Sequence, residues 1–284
     1  RYLQYFGWKP ETFTEKGQPI VDESVLNKVK GIPEAELIGE YLMVQKRIAQ
    51  IQSWLDAVQD NGRVHGYVNA NGAVTGRMTH SKPNVAQVPA GNAPYGKQCR
   101  EVWTVPTGYR LVGMDASGLE LRMLAHYMND KDYTNEILNG DIHTANQLAS
   151  GVETRNQAKT FIYAFLYGAG DAKIGSIVGG SARDGKRLKE KFLRNTPALR
   201  KLRERVVVAA RRGYVLGLDG RRVAVRSEHA ALNTLLQSAG AIVMKKALCL
   251  LDEYAQLHKI DYKFIGNIHD EIQTEVAEKD AERF

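Results

Sequence analysis

Arg155, Lys159 and Tyr163 stand four positions apart, and Tyr167 extends the series by the same step. On a helix all four share one face, two cations followed by two phenol rings. Such a face suits a nucleoside triphosphate, with phosphates against the charges and sugar and base against the rings. Taken alone, it fits a solvated charged turn beside a core aromatic turn better. Asp115 and Asp270 lie far apart in the chain, each where a strand is expected to end or turn, so that a carboxylate can project from a rigid sheet edge. Brought together, two carboxylates can share a pair of magnesium ions about 4 Å apart, which activate a hydroxyl and steady a leaving oxygen in phosphoryl transfer. An Asp at a strand end is by itself more often a cap or turn former. The metal reading therefore depends on the residues around the pair.

The four-residue series needs a helix over 155–167, and its flanks predict one. Thr154 and Gln157 have capping-box spacing, and Gly168 supplies a stop. Tyr109 to Met114 predict a short strand running into Asp115, with Leu119, Leu121, Met123, Leu124 and Tyr127 marking a helix beyond it. Tyr262–Ile268 and Ile272–Val276 predict alternating strands joined tightly by His269-Asp270-Glu271. His269 reads as a turn residue or phosphate contact, because magnesium prefers oxygen ligands.

Elsewhere, the glycines and prolines of the first 33 residues predict loops and short strands. Pro33 opens an amphipathic helix extending to about Val58, where Ile38, Leu42, Ile48, Ile51 and Leu55 recur at helical spacing. Residues 63–69 and 73–75 predict a hairpin about Asn71-Gly72. Two basic helices, 184–194 and 197–212, precede a second hairpin about Asp219-Gly220 and a long helix over 229–258. Gly180 to Lys186 has phosphate-loop spacing, but Arg187 replaces the required Ser or Thr, so it reads as a loop between helices. The mixed order predicts an α+β fold with a helix-rich middle, 129–232, inserted between strand-bearing halves.

At 284 residues and 43% hydrophobic composition the chain can bury a sizeable core. Its 39 Lys and Arg against 32 Asp and Glu leave a net +7, which favours a polyanionic partner without deciding the matter. Cys99 and Cys249 give neither a disulfide framework nor a paired-cysteine metal site. No run approaches 18 consecutive apolar residues and the start lacks a signal-peptide layout, so a cytoplasmic protein with no membrane partner is expected. The missing initiator Met and the abrupt end predict a piece of a longer polypeptide.

Three segments carry a family resemblance. Val112-Gly113-Met114-Asp115-Ala116-Ser117-Gly118-Leu119-Glu120-Leu121-Arg122, the stretch from Arg155 to Gly168, and His269-Asp270-Glu271 resemble, in order, motifs A, B and C of the family A (DNA polymerase I type) DNA polymerases. Thr75-Gly76-Arg77, Asn139-Gly140-Asp141-Ile142-His143-Thr144 and Asn233 to Gly240 match as well, and the wording is most similar to replicative polymerases of T-seven-like bacteriophages.

The resemblance implies a right-hand polymerase fold, with an antiparallel palm sheet, inserted helical fingers and part of a thumb. Residues 1–58 would form a thumb-derived segment and palm entry, 59–128 the first part of the palm, 129–232 the fingers, and 233–284 the second part of the palm, truncated. It implies template-directed DNA synthesis, with two Mg²⁺ ions held by Asp115, Asp270 and the backbone carbonyl of Ala116. Arg155, Lys159 and His143 would meet the triphosphate, Lys159 also protonating the leaving pyrophosphate. Glu120 and Tyr163 would exclude a ribose 2′-hydroxyl, and Tyr rather than Phe at 163 implies ready dideoxynucleotide incorporation. Arg77, Asn233 and Gln237 would read the minor groove at the primer end, with Tyr167 and His269 as further DNA contacts. Minor-groove acceptors recur in every correct pair, so donors there test pair geometry without reading sequence.

The implied partners are primer-template DNA and dNTP substrates. The proofreading exonuclease of such relatives would lie upstream, as would the phage enzymes' thumb loop for a host processivity partner, thioredoxin. No exonuclease is therefore expected in this chain, and its place would be the cytoplasm of a bacterial host. Two alternatives stay open: a single-subunit RNA polymerase, against which Glu120 beside Tyr163 speaks, and a basic DNA-binding fragment without catalysis.

Overall fold

A computed structural model describes residues 2–284, which divide into two compact units. The smaller comprises the chain up to Tyr67 together with His80–Thr104. It contains two four-residue helices, α1 (Tyr2–Tyr5) and α2 (Glu23–Leu26), the long α3 (Pro33–Leu55) and α4 (Gly96–Glu101). Leu3, Trp8, Leu26 and Ala35 form its small core, and Trp54 meets Trp103 edge-on at 5.3 Å. Strands expected in the first 33 residues are replaced there by these short helices and a single bridge, Phe13 to Pro19. One helical turn is too short to leave a hydrophobic period. Pro33 does sit at the start of α3, as its fixed φ favours.

The hairpin near Asn71-Gly72 pairs differently from expectation. β1 (Tyr67–Asn69) meets β2 (Thr79–Ser81), not residues 73–75. The Asn69 side chain accepts from Asn71 N–H at 3.1 Å, and Ala73 N–H donates to the Arg77 carbonyl at 3.2 Å. The intervening residues thus fold into a compact loop that carries Arg77, and local side-chain hydrogen bonding outcompetes the ladder.

The larger unit, Val68–Thr79 and Val105–Phe284, carries the rest. β3 (Tyr109–Asp115) leads to α5 (Leu119–Met128), α6 (Lys131–Asn139), α7 (Ile142–Ser150), α8 (Arg155–Leu166), α9 (Asp171–Ser176), α10 (Ala182–Asn195) and α11 (Pro197–Ala210). A small ribbon, β4 (Tyr214–Leu216) with β5 (Arg222–Ala224), precedes α12 (Ala231–Leu257), and β6 (Tyr262–Ile268) and β7 (Glu271–Ala277) close the order. The main sheet is antiparallel, in the order β3-β7-β6. Strands separated by the whole helical middle are therefore neighbours, which is the expected α+β arrangement. α10 begins at Ala182, two residues before the helix expected from 184 and inside the stretch 180–186 also read as a loop. Ser181 caps that helix and Asp184 completes a capping box.

Packing fixes the helices against the sheet. Leu121 and Leu124 of α5 join Phe161, Ile162 and Phe165 of α8 and Phe192 of α10 in one core. On the other side Leu119 packs with Met244 of α12 and Ile272 of β7. α5 thus ties the strand bearing Asp115 to the helix bearing Arg155. The segment 228–257 is long and apolar enough to cross a membrane by length and composition alone. Its Leu232, Leu235, Leu236 and Met244 are buried in these cores.

Candidate active site

Asp115 ends β3 opposite Glu271, the first residue of β7. One step beyond that pair, Ala116 N–H donates to the Asp270 carbonyl at 2.9 Å, so the two carboxylate-bearing turns are tied side by side. At Gly113, opposite Gln273, an added Cβ would lie 2.7 Å from Gln273 Nε2, the end of a flexible side chain that can move aside. Burial pushes the Asp270 carboxyl above its ordinary range; a backbone hydrogen bond to it opposes that shift, the charges of Asp115 and then Glu120 add to it, and Arg77 opposes it least. The two aspartates that sequence singled out are therefore electrostatic neighbours. Among the described residues no group of three or more His, Cys, Asp or Glu is placed to hold a metal.

Glu120, in the first turn of α5, is buried and doubly held. Arg77 Nη2 donates to its Oε1 at 2.7 Å, with side-chain exposures of 16% and 11%, and the Tyr167 hydroxyl donates to the same oxygen at 3.3 Å. The loop arginine, the α5 carboxylate and the phenol beyond α8 thus form one network. Sequence named all three residues but not their mutual contact, because nothing in their spacing predicts that a loop, a strand-to-helix junction and a helix end converge.

α8 begins at the predicted capping box, both of whose bonds are present, and ends at Leu166, one residue short of expectation. Tyr167 caps it, and Gly168 follows with φ +73°. A Cβ at 168 would lie 2.7 Å from the His229 carbonyl, so glycine is required for both conformation and space. Tyr163 is half-buried. Burial raises its phenol pKa, and Glu120, Asp270 and Asp115 raise it further, in that order. Its phenol therefore lies within electrostatic reach of all three carboxylates. His143, near the start of α7, lies 6.4 Å from the Tyr163 ring, and its Nδ1 is buried without a hydrogen-bond partner. Burial and then the charges of Arg155 and Lys159 lower its pKa, against a smaller opposing effect of Asp141. His143 of α7 therefore lies beside Tyr163 of α8.

Other predicted residues are less tightly tied to this cluster. Asn233 and Gln237 are half-buried on one side of α12 amid buried neighbours, and among the described residues neither bonds to the cluster. His269 is exposed in the β6–β7 turn at φ +62°. Asp141, which sequence reasoning left unassigned, caps α7 and grips Arg155 through Nε at 2.6 Å and Nη2 at 3.1 Å. An Asp just before an amphipathic run was its available signal.

A family model described as DNA polymerase family A matches residues 3–284. The chain is 50% identical to a DNA-directed DNA polymerase of Enterobacteria phage T3 and 49% identical to one of Escherichia phage T7, over 95% of its own length in each case. It spans 44% of the length of each of these relatives. A solved structure described as the POL domain of Pol1 from M. smegmatis in complex with DNA primer-template and dNTP superposes with a TM-score of 0.85. That match has 24% identity and covers 97% of this chain and 53% of the other, so it speaks to fold alone.

Proposed function

This chain belongs to DNA polymerase family A, and from that premise we propose that it adds deoxynucleotides to a primer 3′ end as a template directs, releasing pyrophosphate. One observation carries the reading: the 2.9 Å bond from Ala116 N–H to the Asp270 carbonyl, which ties the two aspartate-bearing turns together within electrostatic reach of Tyr163 on α8. Asp115, Asp270 and the Ala116 carbonyl are the oxygen donors that would hold two Mg²⁺ ions. The fit rests on the raised Asp270 carboxyl, since a half-buried acid repelled by a neighbouring carboxylate is relieved by a cation. When bound, magnesium lowers the pKa of the attacking 3′-hydroxyl and neutralises charge on the leaving oxygen.

The remaining tasks fall to the chain's own side chains. Arg155 and Lys159 bind the triphosphate, and Lys159 gives a proton to the departing pyrophosphate. His143 presents one N–H to a phosphate oxygen. Glu120, pinned by Arg77 and Tyr167, fills with Tyr163 the space a ribose 2′-hydroxyl would need, which selects deoxyribose. Arg77, Asn233 and Gln237 donate to minor-groove acceptors at the primer end, and Tyr167 and His269 support the DNA beside them. The partners are primer-template DNA and dNTPs, the ligands named for the mycobacterial domain that shares this fold.

Primer extension with magnesium tests the activity. The chain should add the templated nucleotide alone, whereas DNA binding with no extension would leave only a DNA-binding fragment. Tyr163→Phe tests the role of the phenol, which can hydrogen-bond where a dideoxynucleotide lacks its 3′-hydroxyl. Loss of one hydrogen bond should shift the dideoxy-to-deoxy incorporation ratio against dideoxynucleotides by about tenfold. An unchanged ratio in single-nucleotide extension would remove Tyr163 from that role.

A further inference from the structure

Asp141 has no part in the chemistry assigned to α8, yet it holds one of that helix's two cations. Its carboxylate accepts from Arg155 Nε at 2.6 Å and Nη2 at 3.1 Å, the two-pronged geometry by which a guanidinium also holds a phosphate. The same carboxylate caps α7, accepting from His143 N–H at 3.0 Å and the Thr144 hydroxyl at 2.9 Å. We propose that Asp141 stands in for the triphosphate. It neutralises Arg155 while no nucleotide is bound and releases the guanidinium when phosphate arrives, so that its charge sets nucleotide affinity.

The exchange is inexpensive on both sides. Side-chain exposures of 52% for Arg155 and 41% for Asp141 place the pair in solvent, where such bridges contribute little to stability. When Arg155 leaves, Asp141 keeps its two cap bonds and is not stranded. The groups facing it are Arg155, His143 and Thr144, with Lys159 one turn along α8. Arg155 and Thr144 hold the Asp141 carboxyl well below the usual carboxylate range, so it remains anionic at any working pH and only a competing anion displaces it. His143 Nδ1, buried without a partner beside the pair, marks a place prepared for a further ligand atom.

The inference rests on Arg155 being a phosphate-binding residue, and its test separates the two ideas. Asp141→Asn removes the charge and retains a good N-cap, with Asp141→Ser as a second cap-preserving variant and thermal unfolding as the check on folding. Inorganic tripolyphosphate, which has neither base nor sugar, is titrated calorimetrically into the parent chain, Asp141→Asn, Arg155→Ala and the double variant. In parallel the KM and kcat for one correct dNTP are measured. Asp141→Asn should lower both the tripolyphosphate Kd and the dNTP KM by about five- to tenfold, the range of a 1 to 1.4 kcal/mol charge effect, with kcat changed less than about twofold. In the Arg155→Ala background the same substitution should change neither constant. A rise in KM would make Asp141 a support that orients Arg155, and an equal fall without Arg155 would make it a general field effect; either overturns the proposal. A parent chain that binds tripolyphosphate but never extends a primer would refute the polymerase reading while leaving the exchange measurable.

Discussion

Asp270→Asn is expected to reduce primer extension by about a thousandfold or more and to unfold at a higher temperature than the parent chain in the presence of a chelator. The first effect follows from losing a donor to the magnesium pair, whose stabilisation of developing charge is of the order of several kcal/mol, each 1.36 kcal/mol being about tenfold in rate. The second follows from the raised Asp270 pKa. Its charged form is disfavoured in the fold by burial and by Asp115 and Glu120. Ionised Asp270 therefore costs stability above its folded-state pKa, and that cost disappears as pH falls through it. Asparagine removes the charge altogether. In the parent chain, adding magnesium should recover much of the same stabilisation, and in the variant it should recover far less. Chelator-treated melting curves and rapid-quench extension rates measure the two effects, and a variant both inactive and less stable would show Asp270 to be a structural cap instead. Asp115→Asn should match it in rate.

Lys159→Ala is expected to lower kcat by about 10²- to 10³-fold, the usual effect of removing a fixed group that meets charge as it develops. Arg155→Ala should act mainly on KM, because its guanidinium holds phosphate both before and during the reaction. The difference lies in placement along α8. Arg155 is the first residue of the helix, engaged by Asp141, and Lys159 sits one turn further towards Tyr163 and the aspartates. Measuring kcat and KM for both variants on one template separates the roles, and equal losses in the two constants for both residues would merge them into a single electrostatic patch.

Much of this site was legible in the sequence because its parts are local. The Thr154–Gln157 box and Gly168 bound α8 to within a residue, and the tight turn between β6 and β7 fixed Asp270. Their spatial union was legible only through family likeness. Periodicity cannot report that β3 and β7 pair across more than a hundred intervening residues. The misread hairpin near Asn71 shows the opposite failure. A strong turn dipeptide there serves a loop whose bonds are made by Asn69 and Ala73, and that loop delivers Arg77 to Glu120. The early short helices were missed because four residues carry no period. Asp141 escaped because its contact with Arg155 appears only when α7 and α8 lie side by side.

The most direct test is a crystal structure of the chain with a dideoxy-terminated primer-template, the next correct dNTP and manganese, read through the anomalous signal. Two manganese peaks bridged by the carboxylates of Asp115 and Asp270, with the triphosphate against Arg155 and Lys159, are the predicted result. Peaks lying elsewhere, or carboxylates turned apart with the nucleotide in place, would contradict it.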